Sequence, residues 1–349
     1  MAVTSSITTR WGTMALVLCG FATHAAAQTQ YSVTDLGTLT AFNVSQAGGI
    51  NTPGQVAGSS TDTVGGVDHG FVWTSGSLQD VGTLGFSSSA AVGINDSGQA
   101  SGEVYNSAGP SHAFWWSSGA GLTDIHMSAS FTSSEALGTV NAAGQIVGSL
   151  TRADGGLTHP FQWSGGSGMV DLGPVPGMTD GFASNINDSG QVVGTSWNAT
   201  DGRAFLWTSG GGFTDLGTPP GFRYAWATAI NASGQVVGQA SNDTGPIDGF
   251  MWTAATGMTD LGPLPGFLYI QPYAINGPGV VVGEASNDPP TSGRAFVWQN
   301  GVMTDLNTLI PADSGWVLRI ATGINDGGQI TGTGIVGGQR HAFLLTPTP

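Results

Sequence analysis

Ile186-Asn187-Asp188-Ser189-Gly190-Gln191-Val192-Val193-Gly194 is one copy of a motif that occurs seven times in the chain. Each copy has Ile-Asn (once Val-Asn), a glycine three residues after the asparagine, and a short, mostly apolar run that ends in a second glycine. The motif asparagines are 44 to 49 residues apart: Asn51, Asn95, Asn141, Asn187, Asn231, Asn276 and Asn325. A period near 45 residues predicts a repeat architecture, in which each unit buries its apolar faces against its neighbours.

The sequence between successive copies predicts four short strands, which we call A to D. In the unit around Asn187, residues 183–187 form strand A, 191–196 strand B, 203–207 strand C and 213–217 strand D. Residues typical of turns separate them, so neighbouring strands are expected to pair antiparallel as hairpins. Because no stretch keeps a helical period, we predict an all-β domain.

Units of four short strands, repeated in series, predict the blades of a β-propeller. Strand A has mostly small residues before the asparagine, as expected for the innermost strands, which crowd around the axis. Strand C has a phenylalanine in every unit, followed two residues later by tryptophan except in the last unit, as expected for blades stacked face to face. These phenylalanines are Phe71, Phe114, Phe161, Phe205, Phe250, Phe296 and Phe343.

The phase of the repeat predicts how the ring closes. The first strand D, residues 31–39, precedes the first strand A, and the last unit ends after strand C at Leu345. We therefore predict a seven-bladed propeller whose last blade combines residues 320–346 with residues 31–39, which removes the open edges at the closure point. An open β-solenoid is the alternative, but it leaves an unpaired strand D at one end.

Residues 1–27 lie outside the repeat and read as a secretory signal peptide, with a basic start at Arg10, a short apolar stretch and an Ala25-Ala26-Ala27 cleavage site. A retained membrane anchor is the alternative, which the short apolar length disfavours. The mature domain, residues 28–349, then has no cysteine, because the only one is Cys19. We expect neither disulfides nor a thiolate metal site.

The charge balance narrows the range of partners. The net charge is −15, only 8% of residues are charged, and all seven basic residues are arginine. An acidic surface without lysine disfavours nucleic acid and anionic membranes as partners.

The motifs His112-Ala113-Phe114 and His341-Ala342-Phe343, with Ile-Asn-x-x-Gly-Gln-Val-Val-Gly and Thr-Asp-Leu-Gly, resemble the bacterial HAF family of extracellular repeat proteins. The resemblance covers nearly all of residues 28–349, although Arg203, Asp248 and Arg294 replace the histidine in three units. It implies an exported protein, secreted or located at the cell surface or in the periplasm of a bacterium. The resemblance implies no particular enzymatic reaction.

Residues that recur in every unit are interpreted as scaffold. The motif asparagine is expected to bond backbone two residues on, and its glycine to take the positive φ of a tight turn. The strand-D aspartates are expected to accept hydrogen bonds from backbone or hydroxyl groups. The strand-C histidines, held apart in different blades, do not predict zinc. The aspartates are Asp35, Asp80, Asp124, Asp171, Asp215, Asp260 and Asp305, and the histidines are His69, His112, His159 and His341.

Departures from the repeat concentrate in the B–C loops and D–A crossovers, which lie on one face of a ring of antiparallel meanders. Binding residues favour variable loops on a rigid scaffold, so this loop-rich face is the predicted site. Large rings there can stack on a sugar or a peptide, and arginine can pair with a carboxylate. The alternative is that the rings only plug the channel mouth. The candidate ligand-binding residues are Trp197, Arg223, Tyr224, Trp226, Tyr269, Tyr273, Trp316 and Arg319.

Acidic residues also recur in the B–C loops, and oxygen-rich loops can bind Ca²⁺, although none has the dense alternation of a dedicated calcium motif. They are Asp62, Asp68, Asp154, Asp201, Asp243, Asp248 and Asp288. Ca²⁺ is the only cofactor that the sequence suggests, and no metal ligands are assigned.

The chain lacks the sequence motifs of nucleophile elbows, zinc proteases and nucleotide-binding loops, so no catalytic residue is assigned. We therefore predict a non-enzymatic scaffold for an extracellular glycan, peptide or protein ligand. One alternative is a glycan-active hydrolase or lyase that uses loop carboxylates. A purely structural surface protein is the other.

Overall fold

The structure is a computed structural model that describes residues 29–127, 130–287 and 293–349. The predicted signal peptide, residues 1–27, lies outside the described residues. In the part of the chain that is described, no helix has the length and hydrophobicity of a membrane span.

The described residues form an all-β fold, as predicted, with 28 strands and one short 3₁₀ helix at Leu306–Thr308. In chain order the strands are β1 (Tyr31–Gly37); β2 (Val44–Ile50), β3 (Val56–Asp62), β4 (Val67–Thr74), β5 (Ser77–Asp80); β6 (Ser88–Ile94), β7 (Ala100–Tyr105), β8 (His112–Ser117), β9 (Gly121–Asp124); β10 (Phe131–Ala136), β11 (Ile146–Arg152), β12 (Thr158–Ser164), β13 (Gly168–Asp171); β14 (Asp180–Ile186), β15 (Val192–Trp197), β16 (Gly202–Thr208), β17 (Gly212–Gly217); β18 (Tyr224–Ile230), β19 (Val236–Ser241), β20 (Asp248–Thr253), β21 (Gly257–Asp260); β22 (Tyr269–Ile275), β23 (Val281–Ser286), β24 (Arg294–Gln299), β25 (Val302–Asp305); β26 (Trp316–Ile324), β27 (Ile330–Val336) and β28 (Gln339–Pro347).

Each group of four consecutive strands from β2 to β25 is an antiparallel meander, and strands β26, β27 and β28 form the last one together with β1. We number these groups as units 1 to 7. Units 4 and 5 are joined into one eight-stranded sheet by a single parallel pair, Gly202 with Tyr224, whereas the other units are separate four-stranded sheets.

The two ends of the described chain meet in the last unit. Strand β1 pairs antiparallel with β28, with Tyr31 opposite Pro347 and Asp35 opposite Phe343. The backbone N–H of Thr348 also donates to the carbonyl of Gln30 at 2.8 Å. An N-terminal strand therefore supplies strand D of the last unit, which the phase of the repeat predicts.

The strand-C phenylalanines form the centre of each unit, and all seven are at most 1% exposed. The second glycine of the motif lies beneath them: a Cβ added at Gly58 would approach Phe71 Cζ to 2.7 Å. Only glycine leaves room for the ring there, which explains why the motif ends on this residue.

The motif asparagines form a closed hydrogen-bonded ring. Each side-chain amide donates to the backbone carbonyl of the next motif asparagine at 2.9–3.1 Å, and the last bond runs from Asn325 back to Asn51. The predicted turn is also present, because Asn187 Oδ1 accepts from Ser189 N at 3.1 Å and Gly190 has a φ of 74°. The asparagine thus shapes its own turn and also joins neighbouring units.

The strand-D aspartates accept backbone hydrogen bonds as expected, for example from Gly82 N to Asp80 Oδ1 at 2.7 Å. Their second partner was not expected: in six units the carboxylate faces a histidine or arginine of strand C, as in the His69–Asp80 pair at 2.8 Å. Unit 5 differs, because Asp248 stands in place of the cation. Burial, and then the charge of Asp260, raise the pKa of Asp248.

Candidate functional site

The innermost strands surround a central channel that holds a cavity of about 510 Å³. Its wall comes from the strand-A segments of all seven units, together with Gln239 of strand β19. A separate cavity of about 230 Å³ lies at the other end of the channel, where the motif asparagines form the mouth. The larger cavity therefore lies on the side of the loop-rich face.

The wall of this cavity is asymmetric. Units 4, 5 and 6 contribute large rings, from Phe182, Trp226 and Tyr273, whereas units 1 and 3 contribute glycines, including Gly48 and Gly138. The equivalent positions of the other units carry smaller side chains, such as Ala90 and Gly48, so the rings are departures from the repeat. They form one aromatic side of the cavity.

Trp226 has the most favourable placement for stacking. Its ring lies 5.8 Å from that of Tyr224, at an interplanar angle of 31°, and it lines the cavity. Among the described residues, its indole N–H has no hydrogen-bond partner, and neither does the side-chain amide of Gln239. An aromatic surface with hydrogen-bonding groups beside it is typical of a small-molecule site.

A polar clamp fixes the rim beside Trp226. Arg223 donates from Nε to the Thr200 carbonyl at 2.7 Å and from Nη1 to Asp243 Oδ2 at 2.6 Å, while the Tyr224 hydroxyl donates to Asp243 Oδ1 at 2.8 Å. The Tyr224 hydroxyl, aided by Arg223, holds the pKa of Asp243 below its ordinary value. The clamp joins units 4 and 5 and holds Tyr224 against Trp226.

Tyr273 lies deeper and is tied to buried polar groups. Its hydroxyl donates to Gln271 Oε1 at 3.0 Å, and burial, followed by the charge of Glu284, raises its pKa to about 12. Glu284 is only 6% exposed, and burial raises its pKa against the opposing effect of Arg319. Arg319 donates to the carbonyl of Gly293 at 3.2 Å.

The structure brings some of the predicted site residues together and leaves others apart. Trp226 and Tyr273 line the cavity, and the Trp197 ring lies 5.8 Å from that of Phe182, which also lines it. Trp316 instead packs edge-to-face on Phe343 at 6.0 Å within the core of the last unit. Arg223 and Tyr224 form the rim clamp, Arg319 lies beside Glu284, and Tyr269 begins β22 without lining the cavity.

A second group of interest was not predicted. Burial, and then the charge of Glu135, raise the pKa of Glu103 to about 7. Glu135 itself accepts from the Ser111 hydroxyl at 3.1 Å. Neither residue departs from an obvious sequence pattern. The two carboxylates come from neighbouring units, so their interaction arises only in the folded ring and could not be predicted from the sequence.

Within residues 29–127, 130–287 and 293–349, no three histidine, cysteine, aspartate or glutamate side chains are grouped so as to hold a metal ion. Loop aspartates accept hydrogen bonds within their own loops. Asp62 Oδ1, for example, accepts from Val64 N at 3.0 Å. Asp288 lies outside the described residues, and calcium binding stays a prediction.

No protein-family model matches the chain, and no curated protein sequence matches it. Solved structures do resemble it. An oligogalacturonate lyase in complex with manganese is 13% identical, with a TM-score of 0.59 over 92% of this chain and 94% of that chain. The β-propeller domain of the Trilobed protease from Pyrococcus furiosus, which has an open velcro topology, is 9% identical, with a TM-score of 0.52 over 88% and 94% of the two chains.

A prolyl endopeptidase is also similar, at 9% identity and a TM-score of 0.57, but this chain spans only 50% of its length. At such identities the likeness concerns the fold alone. The sheets, the channel and these similarities define the class of the protein: it is a β-propeller.

Proposed function

We propose that the chain is an exported, seven-bladed propeller of the HAF repeat type that acts as a non-enzymatic binding scaffold. The ligand, an extracellular glycan or peptide, binds at the channel mouth on the loop-rich face. The count of seven rests on the closed asparagine ring, with the eight-stranded sheet taken as two blades joined only by the pair Gly202 and Tyr224. The proposal requires no metal or cofactor.

The aromatic side of the channel carries this proposal. A repeat protein that needed only a packed centre would continue the small residues of strand A around the ring. Instead, Phe182, Trp226 and Tyr273 face a cavity of about 510 Å³, a size typical of ligand sites. The rim clamp from Arg223 to Asp243 holds this wall in place.

An array of glycans and peptides, probed with residues 28–349, tests the proposal. Trp226→Ala removes the stacking surface, and Trp115→Ala, on strand β8 and outside the cavity lining, is the matched control. The parent and the control are expected to give the same binding pattern, which Trp226→Ala loses. Equal binding by all three proteins would place the site elsewhere, and an array without hits would favour a purely structural role.

A glycan-active enzyme is the second candidate, because the carboxylates of Glu103 and Glu135 come from neighbouring units and interact, and burial raises the pKa of Glu103 to about 7, as a general acid near neutral pH requires. Depletion assays on a mixed polysaccharide panel, with Glu103→Gln beside the parent, test it. Turnover that Glu103→Gln abolishes would replace the binding-only proposal. A panel left unchanged by the parent would leave this alternative without support.

A further inference from the structure

Among the described residues, those that line the channel cavity include no charged side chain. Its polar groups are hydroxyls and amides, contributed by residues such as Ser184, Asn185, Thr228, Gln239 and Tyr273. Burying an ionic group against such a wall is unfavourable unless a counter-charge accompanies it. The part of the ligand that enters this cavity is therefore uncharged.

The free hydrogen-bonding groups point to a ligand rich in hydroxyls. The indole N–H of Trp226 offers a donor, and the Gln239 amide offers both donors and an acceptor. The Asn185 amide nitrogen is also without a partner in the described chain. Sugar rings combine an apolar C–H face, which stacks on an aromatic ring, with hydroxyls that donate and accept.

A peptide fits this wall less well. Peptides commonly bind a propeller or sheet by pairing with exposed strand edges. Here the carbonyls of the innermost strands are already engaged across units, from Ser184 Oγ to Ala227 O at 2.7 Å and from Thr228 Oγ1 to Pro272 O at 2.8 Å. The inner edge is therefore partly closed to a further strand.

Acidic glycans are also disfavoured. The guanidinium of Arg223 is engaged by Asp243 and the Thr200 carbonyl, and the buried carboxylate of Glu284 lies near Tyr273. The net charge is −15, the chain has no lysine, and the described residues of the cavity wall include no cationic side chain. A polyuronate would require free arginine or lysine side chains to pair with its carboxylates.

We infer that the channel mouth binds an uncharged saccharide, with one sugar ring stacked on Trp226 and its hydroxyls bonded by Gln239 and Asn185. The inference rests on the proposed function, whose ligand class it narrows.

Isothermal titration calorimetry with residues 28–349 tests the inference. The probes are uncharged tetrasaccharides of glucose, galactose and mannose, with tetragalacturonate, a glucosamine tetramer and tetra-alanine as the charged and peptide arms. At least one uncharged tetrasaccharide is expected to bind more tightly than all three of the others. Trp226→Ala and Gln239→Ala are each expected to weaken that binding at least about tenfold, since truncating a central contact residue commonly does so.

Thr333→Ala is the matched control, because Thr333 occupies the strand-B position of Gln239 in the last unit and does not line the cavity. It is expected to bind as the parent does. Preferred binding of tetragalacturonate, the glucosamine tetramer or tetra-alanine, if lost in Trp226→Ala, would overturn the inference of an uncharged saccharide and leave the proposed function standing. Binding that neither Trp226→Ala nor Gln239→Ala alters would overturn both.

Discussion

The asparagine ring makes a quantitative prediction about how the propeller is held closed. Asn325 is 5% exposed, and its side chain makes three hydrogen bonds: to the Asn51 carbonyl at 3.0 Å, to Gln329 Oε1 at 2.9 Å and from Gln329 N at 2.9 Å. Each bond contributes ~1 kcal/mol net, and an orphaned buried N–H costs more. Asn325→Ala is therefore expected to lower the free energy of unfolding by ~3 kcal/mol.

Asn141 provides the comparison within the chain, because it is 3% exposed and makes the same three kinds of bond, to Asn187 O, Gln145 Oε1 and from Gln145 N. Asn106→Ala is the surface control, since Asn106 is exposed and its side chain, among the described residues, accepts only from Ser87 N at 2.8 Å. Urea unfolding of residues 28–349, followed by tryptophan fluorescence, measures all three. The ring predicts equal losses for Asn325→Ala and Asn141→Ala, and a loss below ~1 kcal/mol for the control. A loss at Asn325 no larger than the control's, beside a large one at Asn141, would refute closure through the ring.

Two further predictions concern the closing strand and the buried acid. Deleting residues 31–39 removes the buried side chains of Tyr31, Leu36 and Leu39 and is expected to lower the free energy of unfolding by ~5 kcal/mol. A melting temperature like that of the parent would contradict the pairing of β1 with β28. Glu103 has a pKa raised from 4.5 to about 7, so the folded state binds its proton more tightly and stability is lost as pH rises between these values. Glu103→Gln is expected to remove up to ~3 kcal/mol of that loss, matching the parent near pH 4 and exceeding its stability at pH 8. Parallel stability–pH curves for the two proteins would show that Glu103 is not buried as described.

The repeat predicted much of the fold because its motifs carry their own local physics. Turn glycines such as Gly190, and phenylalanines such as Phe205, recur at fixed positions within each unit, so the strands could be placed from pattern alone. The position of the first strand D before the first strand A then determined where the chain ends meet. The bonds between units were not visible in the sequence, because Asn187 and its acceptor Asn231 are 44 residues apart.

The candidate site was only partly predictable, and Trp316 shows why. A strand places alternate side chains on opposite faces, so a large ring near the start of strand A can face either the channel or the core. Trp226 lines the channel, whereas Trp316 packs on Phe343. Gln239 could not be predicted as a site residue, because a single amide on a strand indicates a binding role only once the cavity beside it is known.

The most direct test of binding at the channel mouth is an NMR titration of the tryptophan indole N–H groups with an uncharged tetrasaccharide. Trp226→Phe assigns the Trp226 resonance, and Trp298, whose indole donates to the Leu261 carbonyl at 2.9 Å, serves as an internal reference. The Trp226 signal is expected to shift in a saturable manner while that of Trp298 stays in place. A saturable shift of other tryptophans with Trp226 unmoved would contradict the assignment of the site.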